Sequence, residues 1–248
     1  MSKFDQQLLK ALRNARHLFV LTGAGVSAES GVPTFRDAMS GLWARFRPED
    51  LAAPEAFAAN PKRVWEWYAW RRRLCASAKP NPAHYALVEM ERHVPRFTLA
   101  TQNVDDLHRR AGSRSLIELH GNIHRTICSR ERKRVEPRPQ DRDVPPRCPN
   151  CGAPLRPDVV WFGEPLPEAA QQEALAAAAD CDVCLSIGTS SAVYPAAALP
   201  EIALEAGATV VEINPAETPL SRRARYALRG PAGEILPALT QAAWPPAC

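Results

Sequence analysis

The sequence predicts a doubly wound α/β fold, a parallel sheet flanked by helices, with a smaller helical and cysteine-bearing module inserted into it. Three observations carry that expectation. Short apolar runs recur at residues 18–22, 97–101, 183–187 and 209–213, of the kind that parallel sheets bury on both faces. Each run ends in a glycine-containing or polar loop, and alanine-rich helical segments separate the later ones. Strand, loop and helix therefore alternate along the chain.

Taken in order, Leu8, Leu9, Leu12 and Ala15 fall at helical spacing, which predicts a first helix over about residues 4–16. The apolar strand that follows stops at Gly23-Ala24-Gly25. Residues 38–96 then break the rhythm, with aromatic helical patterns and no strand pattern. The strand at 97–101 leads into "TQNVDD". Residues 121–158 are basic, proline-rich and hold three of the seven cysteines. Helices at 167–180 and 194–207 flank the strand at 183–187, whose loop reads "GTSSAVYP", and the strand at 209–213 ends in "NPAET". The expected organisation is one sheet domain from residues 1–37, 97–120 and 159–248, a helical insertion at 38–96 and a small module at 121–158.

Apolar residues make up 46% of the 248 and charged residues 23%, which suits a packed core and argues against disorder. No apolar run approaches the about 20 residues that span a bilayer, and Asp5 interrupts any resemblance of the first residues to a signal sequence. The expectation is a cytoplasmic protein without a membrane partner, its cysteines serving as metal ligands or core thiols. A net charge of +4 and a pI near 8.8 fit acidic ligands but fall short of a nucleic-acid footprint.

Gly23-x-Gly25-x-x-Ala28 directly after a strand matches the dinucleotide fingerprint, in which bare backbone approaches a pyrophosphate. The acidic residue expected about 20 positions on, at the end of a second strand, is missing from "GVPTFRDAMSGLW". Ordinary hydride-transfer chemistry is thereby disfavoured. The longer string "GAGVSAESGVPTFRD" (23–37) resembles the signature of the sirtuins, the NAD-dependent protein lysine deacylases. The likeness continues through "TQNVDDLH" (101–108), "ELHGNIHR" (118–125), "CPNC" (148–151), "RPDVVWFGE" (156–164), "GTSSAVYPAA" (188–197) and "INP" (213–215).

That resemblance implies a Rossmann-like NAD-binding domain and a reaction in which the acyl oxygen of a modified lysine attacks C1′ of the nicotinamide ribose. Nicotinamide leaves and the acyl group ends on ADP-ribose. It implies His120 as general base, a role that a side chain titrating near neutrality suits, with His124 structural. Asn103 and Asp105 would act on the ribose and the nicotinamide amide, with Gln102 in support. Gly23, Ala24, Gly25, Ser27, Arg36, Gly188, Thr189, Ser190, Asn214 and Ala232 complete the expected cofactor set. Val160, Phe162 and Gly163 would form an extended edge on which an acyl-lysine protein substrate adds as a strand.

Tyr68 and Arg71 in "VWEWYAWRRRLC" share a helix face at i, i+3. The pattern resembles the sirtuin subgroup that removes malonyl, succinyl or glutaryl groups, since an arginine fork binds a distal carboxylate bidentately. Arg72 and Arg73 read as ordinary helix residues. The structural zinc of the family needs two Cys-x-x-Cys pairs. Here Cys148 and Cys151 form one, whereas Cys128 is followed three residues on by Glu131. Either three thiolates and Glu131 hold zinc, or the metal is weak or absent and packing holds the module; the expectation leans to the latter. Cys181 and Cys184 repeat the spacing at the start of a predicted strand, where they face opposite ways and read as buried thiols. Two rivals remain, a mono-ADP-ribosyl transferase using the same cleft, and a nucleic-acid binder built on "RTICSRERKRVEPRPQDR". The second leaves the paired glycine loops unexplained, and charge runs are usually solvated faces.

Overall fold

The computed structural model describes residues 4–33, 47–137 and 143–245. Six parallel strands form the main sheet: β1 (His17–Thr22), β2 (Arg96–Thr101), β3 (Leu116–Glu118), β6 (Val183–Ile187), β7 (Thr209–Ile213) and β8 (Tyr226–Leu228). Their spatial order is β3-β2-β1-β6-β7-β8. The chain winds one way from β1 and the other way from β6, so the carboxyl ends of these two neighbours mark the switch point where such sheets bind ligands. Two further strands, β4 (Gly121–Cys128) and β5 (Leu155–Val159), pair antiparallel in a separate sheet.

Period-2 alternation sorts the sheet's side chains between two cores. Leu18 and Val20 of β1 point into one with Leu99, Leu185 and Ile187. That face is covered by α1 (Gln6–Asn14), α5 (Pro82–His93) and α9 (Ala232–Ala243). Phe19 and Leu21 point into the other, which α7 (Glu168–Asp180) and α8 (Leu199–Glu205) cover with small alanine surfaces. Each large aliphatic side chain so buried contributes about 1.5–3 kcal/mol. The helices start where their caps dictate. The Asp5 carboxylate accepts from Gln7 N–H at 2.6 Å before α1, and Asn81 with Pro82 at N1 opens α5.

The inserted part holds α3 (Pro54–Ala59) and α4 (Pro61–Ser77). Within the expected insertion at 38–96, Ala83, Leu87, Met90 and Val94 of α5 and its end pack in the sheet core. The two insertions are joined: Leu51, Phe57, Val64, Trp67 and Tyr68 share one core with Ile123 of β4, Val159 of β5 and Trp161. Cys181 ends α7 rather than opening β6, and both it and Cys184 are buried in the same core. Among the described residues no helix is long and apolar enough to cross a membrane.

Candidate active site

The loops at the carboxyl ends of β1, β2, β3 and β6 are knitted into one cleft wall. Gly25 N–H donates to Gly188 O at 2.8 Å and Gly23 N–H to Ile187 O at 3.0 Å. Here the glycines have a role the fingerprint alone does not express. A Cβ at Gly25 would stand 2.8 Å from Gly188 Cα, and one at Gly188 would stand 2.6 Å from Val26 N. Gly188 also has a φ of +60°, which favours glycine. The first task of these residues is therefore to let two loops touch. Gly23 then leads into α2 (Ala24–Ala28) without a side-chain cap, while Ala24 and Ser190 are exposed. Bare backbone at the switch point, with no capping side chain over it, fits the pyrophosphate of a dinucleotide.

The catalytic candidates hang from this wall. His120, half-buried after β3, has its Nδ1 3.0 Å from Gln102 O. A carbonyl only accepts, so Nδ1 carries the proton and Nε2 is left as a base. Burial lowers the pKa of His120 from its ordinary value, and the Gln102 carbonyl partly offsets this. Gln102 Nε2 donates to Thr189 Oγ1 at 3.2 Å. Asn103 Nδ2 donates to Gly23 O and Ser27 Oγ, both at 3.0 Å. Asp105 is buried and accepts from Leu107 N–H at 2.9 Å. Burial pushes its carboxyl up, against the Leu107 N–H, the Ser27 hydroxyl and the positive charge of Arg71.

Behind Asn103 runs a chain of neutral groups that the sequence reading missed. His108, on α6 (Leu107–Ala111), meets Thr22 Oγ1 at 2.9 Å. Thr22 donates to Thr101 Oγ1 at 2.8 Å, and Thr101 Oγ1 accepts Asn103 N–H at 3.1 Å. With its hydroxyl proton committed to Thr101, Thr22 accepts from His108 Nε2–H. Burial and the neighbouring His84 ring, 4.7 Å away, push His108 down to about 3; burial alone takes His84 to about 4. The signal lay in "LT" and "LAT", where a threonine ends each apolar strand.

The Sir2 family model matches residues 23–195, a span that contains all of these residues except Thr22. The chain belongs to the Sir2 family. It is 54% identical to an NAD-dependent protein deacylase of Methylococcus capsulatus over 97% of each chain. Identity to NAD-dependent protein deacylase 1 of Pseudomonas aeruginosa is 52%, covering 96% of this chain and 98% of that one. Among solved structures, a Sir2 homologue in complex with NAD superposes with a TM-score of 0.90 at 48% identity, covering 98% of this chain and 94% of that one. A Sir2–p53 peptide–NAD complex gives 0.83 at 31% identity, covering 95% and 97%.

Two more residues of this sirtuin's expected cofactor set lie beyond those four strands. Asn214 follows β7, its Nδ2 donating to Ala216 O at 3.1 Å, and Ala232 is buried at the start of α9. Arg36 lies outside the described residues. The inserted part, whose Arg71 is near enough for its charge to act on Asp105, is different in chemistry. Tyr68 is buried and its hydroxyl accepts from Trp161 Nε1–H at 3.0 Å, which leaves its own proton to donate. Burial pushes its phenol up to about 12, against the positive charge of Arg71. Arg71 is 8% exposed, its guanidinium 5.1 Å from the Trp67 ring centroid. Trp161, not named from sequence, is also faced by the buried Arg156 at 3.3 Å, which forms a two-pronged pair with Glu164 at 2.6 and 2.8 Å. Arg72 instead donates to Ile123 O, and His124 is exposed on β4.

Val160, Phe162 and Gly163, expected to receive a substrate strand, follow β5 where the extended backbone gives way to a turn. Glu164 N–H closes a turn on Trp161 O at 3.0 Å, and Gly163 sits at φ +84° within it. The N–H groups of Val160 and Phe162 are already given to His120 O and Ala52 O. Phe162 nonetheless stays exposed. In the small module, one ligand atom each of Cys128, Glu131, Cys148 and Cys151 lies within 4.8 Å of the others, so the donors fit a tetrahedral metal.

Proposed function

We propose that this sirtuin removes acyl groups from protein lysines with NAD, and that it favours acyl groups ending in a carboxylate, succinyl and malonyl above acetyl. The relatives named as NAD-dependent protein deacylases support the first part. A structural relative with a p53 peptide and NAD supports an extended acyl-lysine segment of a protein as substrate. When bound, NAD supplies the glycosidic bond to nicotinamide and the ribose carbon that takes the acyl oxygen. The protein's own contribution is positional. His120 offers an unprotonated Nε2 to a ribose hydroxyl, its ring fixed by Gln102. Asn103 is pinned by Gly23 and Ser27. Asp105, buried beside them, is suited to hold a polar amide in a dry pocket.

The acidic preference rests on one observation, a buried arginine three residues from a buried tyrosine whose hydroxyl still has a proton to give. An acetyl group offers such a cation nothing, whereas a terminal carboxylate gains charge-assisted hydrogen bonds of about 1.5–3 kcal/mol. The test is a comparison of acetyl-, malonyl-, succinyl- and glutaryl-lysine peptides with the wild type and with Arg71→Met. On this reading Arg71→Met lowers kcat/KM for succinyl-lysine about 10- to 100-fold and spares acetyl-lysine. Equal losses on both would remove the assignment. ADP-ribosyl transfer to protein uses the same cleft, and would be seen as nicotinamide release without loss of the acyl group.

A further inference from the structure

We infer that Glu131 is the fourth ligand of a zinc ion held by Cys128, Cys148 and Cys151, which gives this sirtuin a three-thiolate, one-carboxylate site that exchanges its metal more readily than four thiolates would.

The behaviour of Glu131 carries the inference. It stands in "SRERKR", with cations at 130, 132, 133 and 134, and an acid there has ion-pair partners on both sides. The three arginines go elsewhere. Arg132 pairs with Glu164 at 2.9 Å and Arg134 with Glu136 at 3.9 Å, while Arg130 reaches Cys151 O at 3.4 Å. Among the described residues the Glu131 carboxylate joins none of these pairs; it turns instead into the group of three thiols. A carboxylate held within 4.8 Å of three ionisable thiols gains at most weak S–H hydrogen bonds, and is repelled once a thiol ionises, unless a cation stands between them. The thiols are themselves drawn together, with Cys128 and Cys151 Sγ 3.4 Å apart. Glu131 N–H points at Cys128 Sγ, 3.3 Å away, a donor that suits a thiolate more than a thiol.

Packing alone is a poor alternative. The module's own core is Cys128, Val135, Cys148, Ala153 and Leu155, with Trp65 and Cys151 against it, and two of the five are cysteines. The strands of the module also share the core of the inserted helices, but its cysteine end has little apolar surface of its own to bury, and a metal there adds to its stability. Zinc accepts sulfur and carboxylate oxygen in one tetrahedral shell, and its binding displaces the thiol protons, coupling the fold to the metal. Exchanging one soft thiolate for a harder oxygen weakens the preference for zinc. The carboxylate still fills the fourth position, so the site is kept with a looser hold on its metal.

The experiment uses the full chain, purified without chelator, and two substitutions of opposite sense. Elemental analysis of the wild type should find about one zinc per chain. Under a competing chelator, Glu131→Gln should release zinc about 10- to 100-fold faster and Glu131→Cys more slowly than the wild type. With cobalt(II) loaded instead, Glu131→Cys should raise the thiolate charge-transfer absorption by about a third, as three sulfurs become four. Glu131→Gln should keep that intensity and shift the ligand-field bands. A wild type that takes up neither metal overturns the inference. So does a zinc-loaded wild type whose release rate and cobalt spectrum ignore both substitutions, because the fourth position is then not Glu131. None of these readouts depends on which acyl group is removed.

Discussion

The two walls of the cleft are built from opposite materials. On the sheet side stand bare backbone, an amide, threonine hydroxyls and imidazoles that burial keeps uncharged. They sit on loops that end rigid parallel strands and touch one another through glycine. On the inserted side stand two buried guanidiniums, Arg71 and Arg156, set among Trp67, Tyr68 and Trp161. Neutral groups held at fixed positions suit a step in which charge must develop on the reactants. A buried cation suits recognition of an anion. Arg156 is already paired with Glu164, so on the function proposed above bond breaking falls to the sheet side and choice of acyl group to Arg71, and substitutions on the two sides should fail in different ways.

The largest expected effect lies on the sheet side. His120→Ala should lower kcat about 10²- to 10⁴-fold for every acyl-lysine alike, read from nicotinamide release, with NAD affinity retained by calorimetry. A selective loss would blur the division. Next comes Gly188→Ala. A left-handed φ and a 2.6 Å approach to Val26 N should cost about 3 kcal/mol of stability, seen in a urea midpoint. Arg71→Met follows, and it should change the succinyl-to-acetyl ratio where His120→Ala does not. Acid should then reveal the buried imidazoles. Because the folded pKa values of His84 and His108 are about 4 and about 3, unfolded chains take up protons there first. Stability is full above about pH 6.5 and falls as the pH drops towards 4, by about 1.4 kcal/mol per unit for each histidine. His120 and His17, also lowered by burial, add to the same slope, and His84→Leu should reduce it by about 1.4 kcal/mol per unit in urea titrations at pH 7.5 and 5.5. Smallest is Thr101→Val, which removes the acceptor for Asn103 N–H. It should cost about 10-fold in kcat on all acyl groups, and Thr101→Ser should restore it.

What the sequence revealed follows the same divide. β1, β2, β6 and β7 were legible because their signal is local: an apolar run, a threonine or isoleucine, then a glycine or polar loop. The cleft residues on those loops came with them, and the Sir2 blocks fixed their register. The insertion was harder because its determinants are remote. α5 looks like one more helix of the insertion until its apolar face meets α9 and β1. The partner of the Tyr68 hydroxyl is Trp161, 93 residues away, and no spacing rule connects them. For Glu131 the sequence left two readings open, a zinc ligand or a site with weak or no metal, since only the fold shows its carboxylate among three thiols.

One measurement tests the central claim most directly. Purified protein is incubated with NAD and an equimolar mixture of acetyl- and succinyl-lysine peptides, and nicotinamide and both peptide masses are followed together. The predicted result is one nicotinamide released for each acyl group removed, with the succinyl peptide consumed first. Nicotinamide released while both peptides keep their acyl groups, or peptides deacylated without NAD, would contradict it.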